Sequence, residues 1–189
     1  MDDDDLKRAV LAQLLARAAA EGFTASLLRA MDTTAVFDGD LAAVLAFWSA
    51  EVDCALQTQL AAQDLASLSI RGRIRAGVLT RLAILKPHKD AARKAAALPQ
   101  SLLGNAEALW RSADIIWRAA GDTATDFNFY SKRLILGGVL STTMIAWFGD
   151  DSEDEGATTA FLDARIANVL QFEKLKARVQ AACPSGNAS

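Results

Sequence analysis

The chain has 189 residues, of which 52% are hydrophobic and only three are proline, and its net charge is −3. This length allows one domain with a full hydrophobic core, and the composition favours helices over a β-sandwich or barrel. No apolar run reaches the roughly 18 residues that a membrane-spanning helix needs. The acidic start, residues 2–5, is the opposite of a basic signal peptide, and we therefore expect a cytoplasmic protein.

The N-terminal residues 1–40 predict a degenerate helix-turn-helix. Apolar residues at helical spacing predict a helix over 5–21, which Gly22 ends. Thr24 is a capping residue for a second helix over 25–31, and residues 33–36 predict a very short third one. This arrangement is similar to the start of tetracycline-repressor-type regulators.

The rest of the chain predicts longer helices, so the expected fold is all-α with about nine helices. Asp40 is the predicted cap of the first of them. Proline and glycine residues mark most of the breaks between helices. The predicted helices cover 41–66, 67–85, 88–98, 99–120, 127–148 and 158–182, and residues 183–189 are expected to be a flexible tail.

The sequence contains few residues suited to catalysis or metal binding. His88 is the only histidine, which excludes a histidine-rich zinc, haem or di-iron site within one chain, and we expect it in a solvated loop. Cys54 lies in an apolar helical pattern and is expected to be buried, whereas Cys183 is expected to be a free thiol in the tail. Phosphate-binding, nucleophile-elbow and C-x-x-C motifs are absent. We therefore predict no metal, no cofactor and no enzymatic activity.

Three carboxylates near Gly121 allow two interpretations. Asp114, Asp122 and Asp126 are suited to helix ends and caps, which is the interpretation we favour. The alternative is a carboxylate cluster for acid–base chemistry, which also requires a second group at a defined separation.

The charge is unevenly distributed along the chain. Residues 1–55 contain four basic and ten acidic residues, whereas residues 71–118 contain ten basic and three acidic ones. DNA binding requires a basic surface, so the acidic N-terminal part argues against a ligand-responsive transcription regulator, which we keep as the alternative function. The basic segment is interpreted as solvated helix faces, or alternatively as a surface that attracts an acidic partner or anionic lipid headgroups.

Several motifs together resemble the coenzyme Q biosynthesis protein nine family. They are F-D-G-D-L, I-R-G-R-I-R-A-G-V-L-T-R-L, T-T-A-F-L-D-A-R-I and, as the specific part, D-I-I-W-R-A-A-G-D-T-A-T-D-F-N-F-Y-S-K-R at residues 114–133. The resemblance implies a tetracycline-repressor-like helical fold that binds isoprenoid lipids or ubiquinone precursors in an apolar cavity. It also implies a non-catalytic accessory role beside the demethoxyubiquinone hydroxylase.

The resemblance also implies two sets of site residues. The hydroxylase-binding set is Asp126, Asn128, Phe129, Tyr130 and Arg133, with phenylalanine at 129 where the family usually has tryptophan. For Tyr130 and Arg133 the alternative is that they brace the start of a helix. The lipid-binding set is Trp110, Trp117, Leu134, Leu140, Met144 and Trp147, for which the alternative is ordinary core packing.

The last two long helices suggest assembly and membrane contact. The fold commonly forms two-fold dimers through these helices, so residues 41–182 are expected to form a lipid-binding and dimerisation domain. The Gly137-Gly138 pair is expected to let its helix approach a neighbour or a ligand closely. Some family members end in a separate amphipathic membrane helix that this chain is expected to lack. We therefore expect any peripheral contact with the inner face of the membrane to be made by the last helix, through Leu170, Phe172, Leu175 and Val179.

Overall fold

The computed structural model describes residues 2–31, 33–98, 101–123, 125 and 127–182. These residues form helices and no strands, which confirms the all-α prediction. The tetracycline-repressor-like topology stays a prediction. The elements are α1 (Asp3–Glu21), α2 (Ala25–Ala30), α3 (Thr34–Phe37), α4 (Leu41–Ala61), α5 (Ile70–Leu85), a 3-10 turn (Lys86–His88), α6 (Lys89–Ala96), α7 (Ser101–Ala119), α8 (Phe127–Phe148) and α9 (Gly156–Ala182).

The helix ends follow local capping chemistry. Thr24 and Asp40 cap α2 and α4 as expected, through hydrogen bonds to the backbone N–H groups of Leu27 and Ala42. The helix predicted over 41–66 ends earlier, at Ala61, because the chain turns there and places Leu65 in the core. Ser69 then caps α5 by accepting a hydrogen bond from the Gly72 N–H at 3.2 Å. The residues between the two helices are therefore a loop.

Two hydrophobic clusters fill the interior. One packs α1 and α2 against the first half of α4, the end of α5, α6 and Trp147. The other packs the second half of α4 against α5, α7, α8 and α9. Helices α5 and α7 pack closely at Gly77, where an added Cβ would lie only 2.6 Å from Cγ2 of Ile116. Helices α4 to α8 surround the space in which the candidate site lies.

Two expectations about single residues are corrected by the structure. Cys54 is exposed, not buried. Helix α4 turns Val52, Asp53 and Leu56 inward, and Cys54 lies on the opposite face. His88 is half-buried in the 3-10 turn, with its ring edge-on to that of Trp48 at a centroid distance of 6.4 Å. It is therefore a packed residue and not a solvated loop residue.

The turn before α9 depends on the carboxylate of Asp150. This carboxylate accepts hydrogen bonds from the hydroxyl of Ser152 and from the N–H and hydroxyl of Thr158, the latter two at 2.7 Å. Hydrogen bonds from Ser152 and then Thr158 hold the pKa of Asp150 well below its usual range. The ionised carboxylate therefore organises the entry into α9.

This low pKa predicts a pH-dependent contribution to stability. A carboxylate whose pKa is depressed by folding stabilises the protein above its unfolded pKa of about 4, and this contribution is lost as the pH falls through the folded pKa. Asp150→Asn should therefore lower the thermal midpoint at pH 7, and the gap from the wild type should narrow below about pH 4. Thermal unfolding at pH 7 and at pH 3 checks this, with Asp151→Asn as the exposed control. If the thermal midpoints of the wild type and Asp150→Asn differ by the same amount at pH 7 and at pH 3, the charge of Asp150 does not stabilise the turn.

Candidate functional site

An apolar cavity of about 440 Å³ lies between α4, α5, α6, α7 and α8. Alanines of α6 and α7 leave this space open because their side chains are too short to fill it. Its volume and apolar character are typical of small-molecule sites. The cavity is lined by Leu45, Trp48, Ser49, Val52, Arg81, Leu85, Ala92, Ala95, Ala96, Ala106, Ala108, Leu109, Ser141, Met144, Ile145 and Phe148.

One charged side chain, that of Arg81, lies at the wall of this cavity. Arg81 is only 6% exposed. Its Nε donates to the hydroxyl of Ser112 at 3.0 Å, and its Nη1 donates to Sδ of Met144, also at 3.0 Å. Burial lowers the pKa of Arg81 to about 10, and the nearby Asp53 partly opposes this effect. The guanidinium is therefore still charged at neutral pH.

The carboxylate of Asp53 connects Arg81 to a second arginine. Ser112 donates to Oδ1 of Asp53 at 2.8 Å, and Arg111 donates to Oδ2 at 3.0 Å. Arg111 also donates to the hydroxyl of Ser49 at 2.9 Å. Arg81 thus reaches its carboxylate only through the hydroxyl of Ser112.

Arg81 was expected on a charged, solvated face of its helix, and its burial was not predicted. The signal was its position: residue 81 follows Ile74 and Val78 at helical spacing and precedes Leu82, and all of these are buried. A charge within an apolar stripe indicates an internal polar site.

The lipid-binding residues expected from the resemblance are not brought together. Only Met144 lines the cavity. Leu140 and Trp147 are fully buried in the two separate core clusters, and Leu134 is 66% exposed. Trp117 is half-buried and donates through Nε1 to the carbonyl of Lys132 at 3.0 Å. Trp110, also half-buried, contacts the rings of Phe129 and Tyr130.

A cluster of ion pairs joins α7 to α8 and organises the expected hydroxylase-binding surface. Arg133 is 1% exposed and pairs with Asp114 at 2.6 Å and with Asp122 at 3.0 Å. Its guanidinium also stacks 3.5 Å from the ring centre of Phe129. Lys132 pairs with Asp122 at 2.6 Å. Both carboxylates therefore bind cations of α8, a role that neither sequence interpretation included.

This arrangement divides the expected hydroxylase-binding residues into exposed and internal ones. Tyr130 is 56% exposed, Asn128 is exposed, and Phe129 is half-buried beneath Arg133. Arg133 has no surface to offer a partner, so its structural role is to hold Phe129 and α8 in place, which agrees with the bracing alternative. Asp126 lies outside the described residues.

Helix α8 also presents an exposed apolar stripe. Tyr130, Leu134 and Ile145 on this stripe are more than half exposed, and Ile145 also lines the cavity. Gly137 and Gly138 lie between them, and a Cβ added at either position would meet no atom within 4 Å. The close approach expected of this glycine pair is therefore not made within the described part of the chain.

The membrane-contact residues expected on α9 lie where side chains are not described. These are Leu170, Phe172, Leu175 and Val179. Among the described helices, none is both long and apolar enough to cross a membrane. The described residues also contain no group of three or more His, Cys, Asp or Glu side chains that would hold a metal ion. Cys183 falls outside the described range.

Comparison with known proteins gives one consistent result. Residues 104–173, which cover most of α7, all of α8 and much of α9, match the COQ9 family model. The rat "Ubiquinone biosynthesis protein COQ9, mitochondrial" is 36% identical over 102 residues, which is 52% of this chain and 33% of the relative. Its human counterpart is 32% identical over 102 residues, again 52% of this chain and 32% of the relative.

A more distant relative has a similar match. The Dictyostelium discoideum "Probable ubiquinone biosynthesis protein coq9, mitochondrial" is 26% identical over 117 residues, which is 60% of this chain and 38% of the relative. The chain thus spans about a third of the length of these relatives. The relatives are named as mitochondrial, and the cytoplasmic location of this chain stays a prediction. These matches confirm the resemblance expected from the sequence: residues 104–173 are similar to the COQ9 family.

Proposed function

We propose that this protein is a non-catalytic, lipid-binding accessory protein of ubiquinone biosynthesis. It holds an isoprenoid or quinone intermediate in the apolar cavity and supports the demethoxyubiquinone hydroxylase. The observation that carries this proposal is the cavity itself, since its walls from α7 and α8 lie within the segment that matches the COQ9 family. The names of the relatives support a role in ubiquinone biosynthesis.

The chemistry of the cavity suits this role. An isoprenoid quinone precursor stays in the bilayer because each buried methylene is worth about 0.8 kcal/mol. A carrier must replace the contacts of the bilayer with equivalent apolar contacts. Leu45, Val52, Leu109 and Phe148 provide such contacts around the 440 Å³ space. The cavity can therefore receive part of an apolar molecule without a large loss of free energy.

Filling the cavity should weaken lipid binding. Ser141 lies on α8 at the cavity wall, whereas the next residue, Thr142, is exposed and does not line the cavity. Ser141→Trp should weaken the binding of a fluorescent farnesyl probe by about tenfold or more, because the indole occupies the space of the ligand. Thr142→Trp places the same side chain on the outside of the same helix and should leave the affinity unchanged. Equal affinities of the two variants would show that the probe binds elsewhere.

The exposed stripe on α8 is the surface we propose for the hydroxylase. Its aromatic member Tyr130 packs against Phe129 and Trp110, with centroid distances of 5.1 and 6.1 Å. Rigid, partly exposed aromatic side chains are frequent anchors of protein interfaces. Helices α8 and α9 are also where we propose a homodimer, with peripheral membrane contact through the end of α9.

Loss of the Tyr130 ring should weaken the hydroxylase complex. Tyr130→Ala should reduce the affinity for the purified hydroxylase by about tenfold or more, as removal of an interface anchor does. Ile70→Ala removes an equally exposed apolar side chain from α5 and should have no effect. The measurement is surface plasmon resonance, with circular dichroism to verify the fold of both variants. An unchanged affinity of the Tyr130 variant would remove this residue from the proposed surface.

A further inference from the structure

The buried guanidinium of Arg81 has hydrogen-bonding capacity that the described residues do not use. An arginine side chain has five N–H donors. The structure shows Nε donating to Ser112 and Nη1 donating to Met144, whose thioether sulfur is a weak acceptor. Nη2 has no hydrogen-bond partner among the described residues. This unused donor belongs to a side chain that is more than nine-tenths buried and lines the apolar cavity.

The charge of Arg81 is also incompletely balanced. Both carboxylate oxygens of Asp53 are already engaged, Oδ1 by Ser112 and Oδ2 by Arg111. Arg81 makes no direct ion pair with any described carboxylate. A buried charge without a paired counter-charge is unfavourable. An anion at the cavity end of the Arg81 side chain would relieve this cost.

We propose that Arg81 is the polar anchor of the cavity, and that the cavity takes an apolar molecule with an anionic oxygen head, a carboxylate or a phenolate. This inference rests on the proposed function, since it names the chemical class of the ligand in that same cavity. The head accepts hydrogen bonds from the guanidinium, and the apolar body lies along α4, α6 and α8. Charge-assisted hydrogen bonds of this kind are stronger than neutral ones, and the low local dielectric strengthens them further.

The proposal predicts different affinities for ligands that differ only in their head group. Dodecanoic acid and 1-dodecanol have the same chain length, but only the acid is an anion at neutral pH. The wild type should bind the acid about tenfold or more tightly than the alcohol, which is the usual advantage of a hydrogen bond to a charged group. A polyprenylated phenol and its methyl ether form a second matched pair. The phenol is neutral in water at pH 7, so a preference for it that grows as the pH rises toward the phenolic pKa of about 10 indicates a phenolate head. Isothermal titration calorimetry measures each affinity.

Variants identify the residue responsible for the preference. Arg81→Met keeps an unbranched apolar stem but removes the guanidinium and its charge, and it should bind the acid and the alcohol about equally. Arg81→Lys keeps the charge and should retain a preference for the acid. Circular dichroism verifies the fold of each variant. If Arg81→Met does not fold, Arg81→Gln, which also removes the charge, replaces it in this comparison.

The outcomes separate this inference from the proposed function. Equal wild-type affinities for acid and alcohol, with both lost in Ser141→Trp, would overturn the anionic anchor while the cavity remains a lipid site. A preference that persists in Arg81→Met would assign the anchor to another residue. Failure of every probe to bind the wild type would overturn both the anchor and the lipid-binding cavity.

Discussion

Replacing Arg133 by alanine should lower the free energy of unfolding by about 3 kcal/mol, the lower end of the range for breaking a buried ion pair. Arg133 is 1% exposed and pairs with two carboxylates, of which Asp122 is 4% exposed. Its removal takes one cationic partner from each of the two carboxylates, and it uncovers the ring face of Phe129 on which the guanidinium stacks. The loss stays at the lower end because Lys132 still pairs with Asp122 and Arg118 still pairs with Asp114.

Urea denaturation of the wild type, of Arg133→Ala and of two matched control variants measures this effect. Arg118→Ala removes an arginine that pairs with the same Asp114 but is 68% exposed. Its effect should stay below about 0.5 kcal/mol, as for other surface ion pairs. Arg133→Lys should fall between the two, because it keeps the charge but loses the planar fork and the stacking on Phe129. Similar losses for Arg133→Ala and Arg118→Ala would contradict the central position of Arg133 in the cluster.

Replacing Trp147 by alanine should lower the free energy of unfolding by about 3–5 kcal/mol, the usual cost of truncating a buried aromatic side chain. Trp147 is fully buried in the cluster formed by α1, α2, α4, the end of α5 and α6. Its Nε1 donates to the carboxylate of Glu155 at 2.8 Å, so the substitution also removes a hydrogen bond next to the turn before α9. Urea denaturation of the wild type and of Trp147→Ala measures this loss in the free energy of unfolding.

Leu134 provides the contrast to Trp147. The family resemblance places both residues in one lipid-binding set, but Leu134 is 66% exposed. Leu134→Ala should change the free energy of unfolding by less than about 0.5 kcal/mol, as surface substitutions usually do. A small loss for Trp147→Ala, with reduced lipid binding, would instead favour its predicted role as a ligand contact.

The sequence predicted the helices well where the signal was local. Caps such as Thr24 and Asp40 and the stop at Gly22 determine helix ends through contacts within a few residues. The end of α4 was missed because the burial of Leu65 depends on helices that are distant in the sequence. The exposure of Cys54 was missed for the same reason, because it depends on which face of α4 turns toward the other helices.

The candidate site was harder to predict, because its residues act across helices. Arg81 is separated from Met144 by 63 positions in the chain, and no local pattern reports that contact. The motif from 114 to 133 contains the four members of the ion-pair cluster, Asp114, Asp122, Lys132 and Arg133, but its ion pairs were not predicted. It did not distinguish the buried Arg133 from the exposed Tyr130, since both are typical of interfaces as well as of internal networks. Distinguishing them requires the packing of α8 on α7.

The proposed lipid-binding role at the hydroxylase step is tested by the quinone profile of a strain that lacks this protein. We expect demethoxyubiquinone to accumulate and ubiquinone to fall in that strain. The wild type and Thr142→Trp should restore the normal profile, whereas Ser141→Trp, with its filled cavity, should not. An unchanged profile in the deletion strain, or full restoration by a Ser141→Trp protein shown not to bind lipid, would contradict a lipid-binding role at the hydroxylase step.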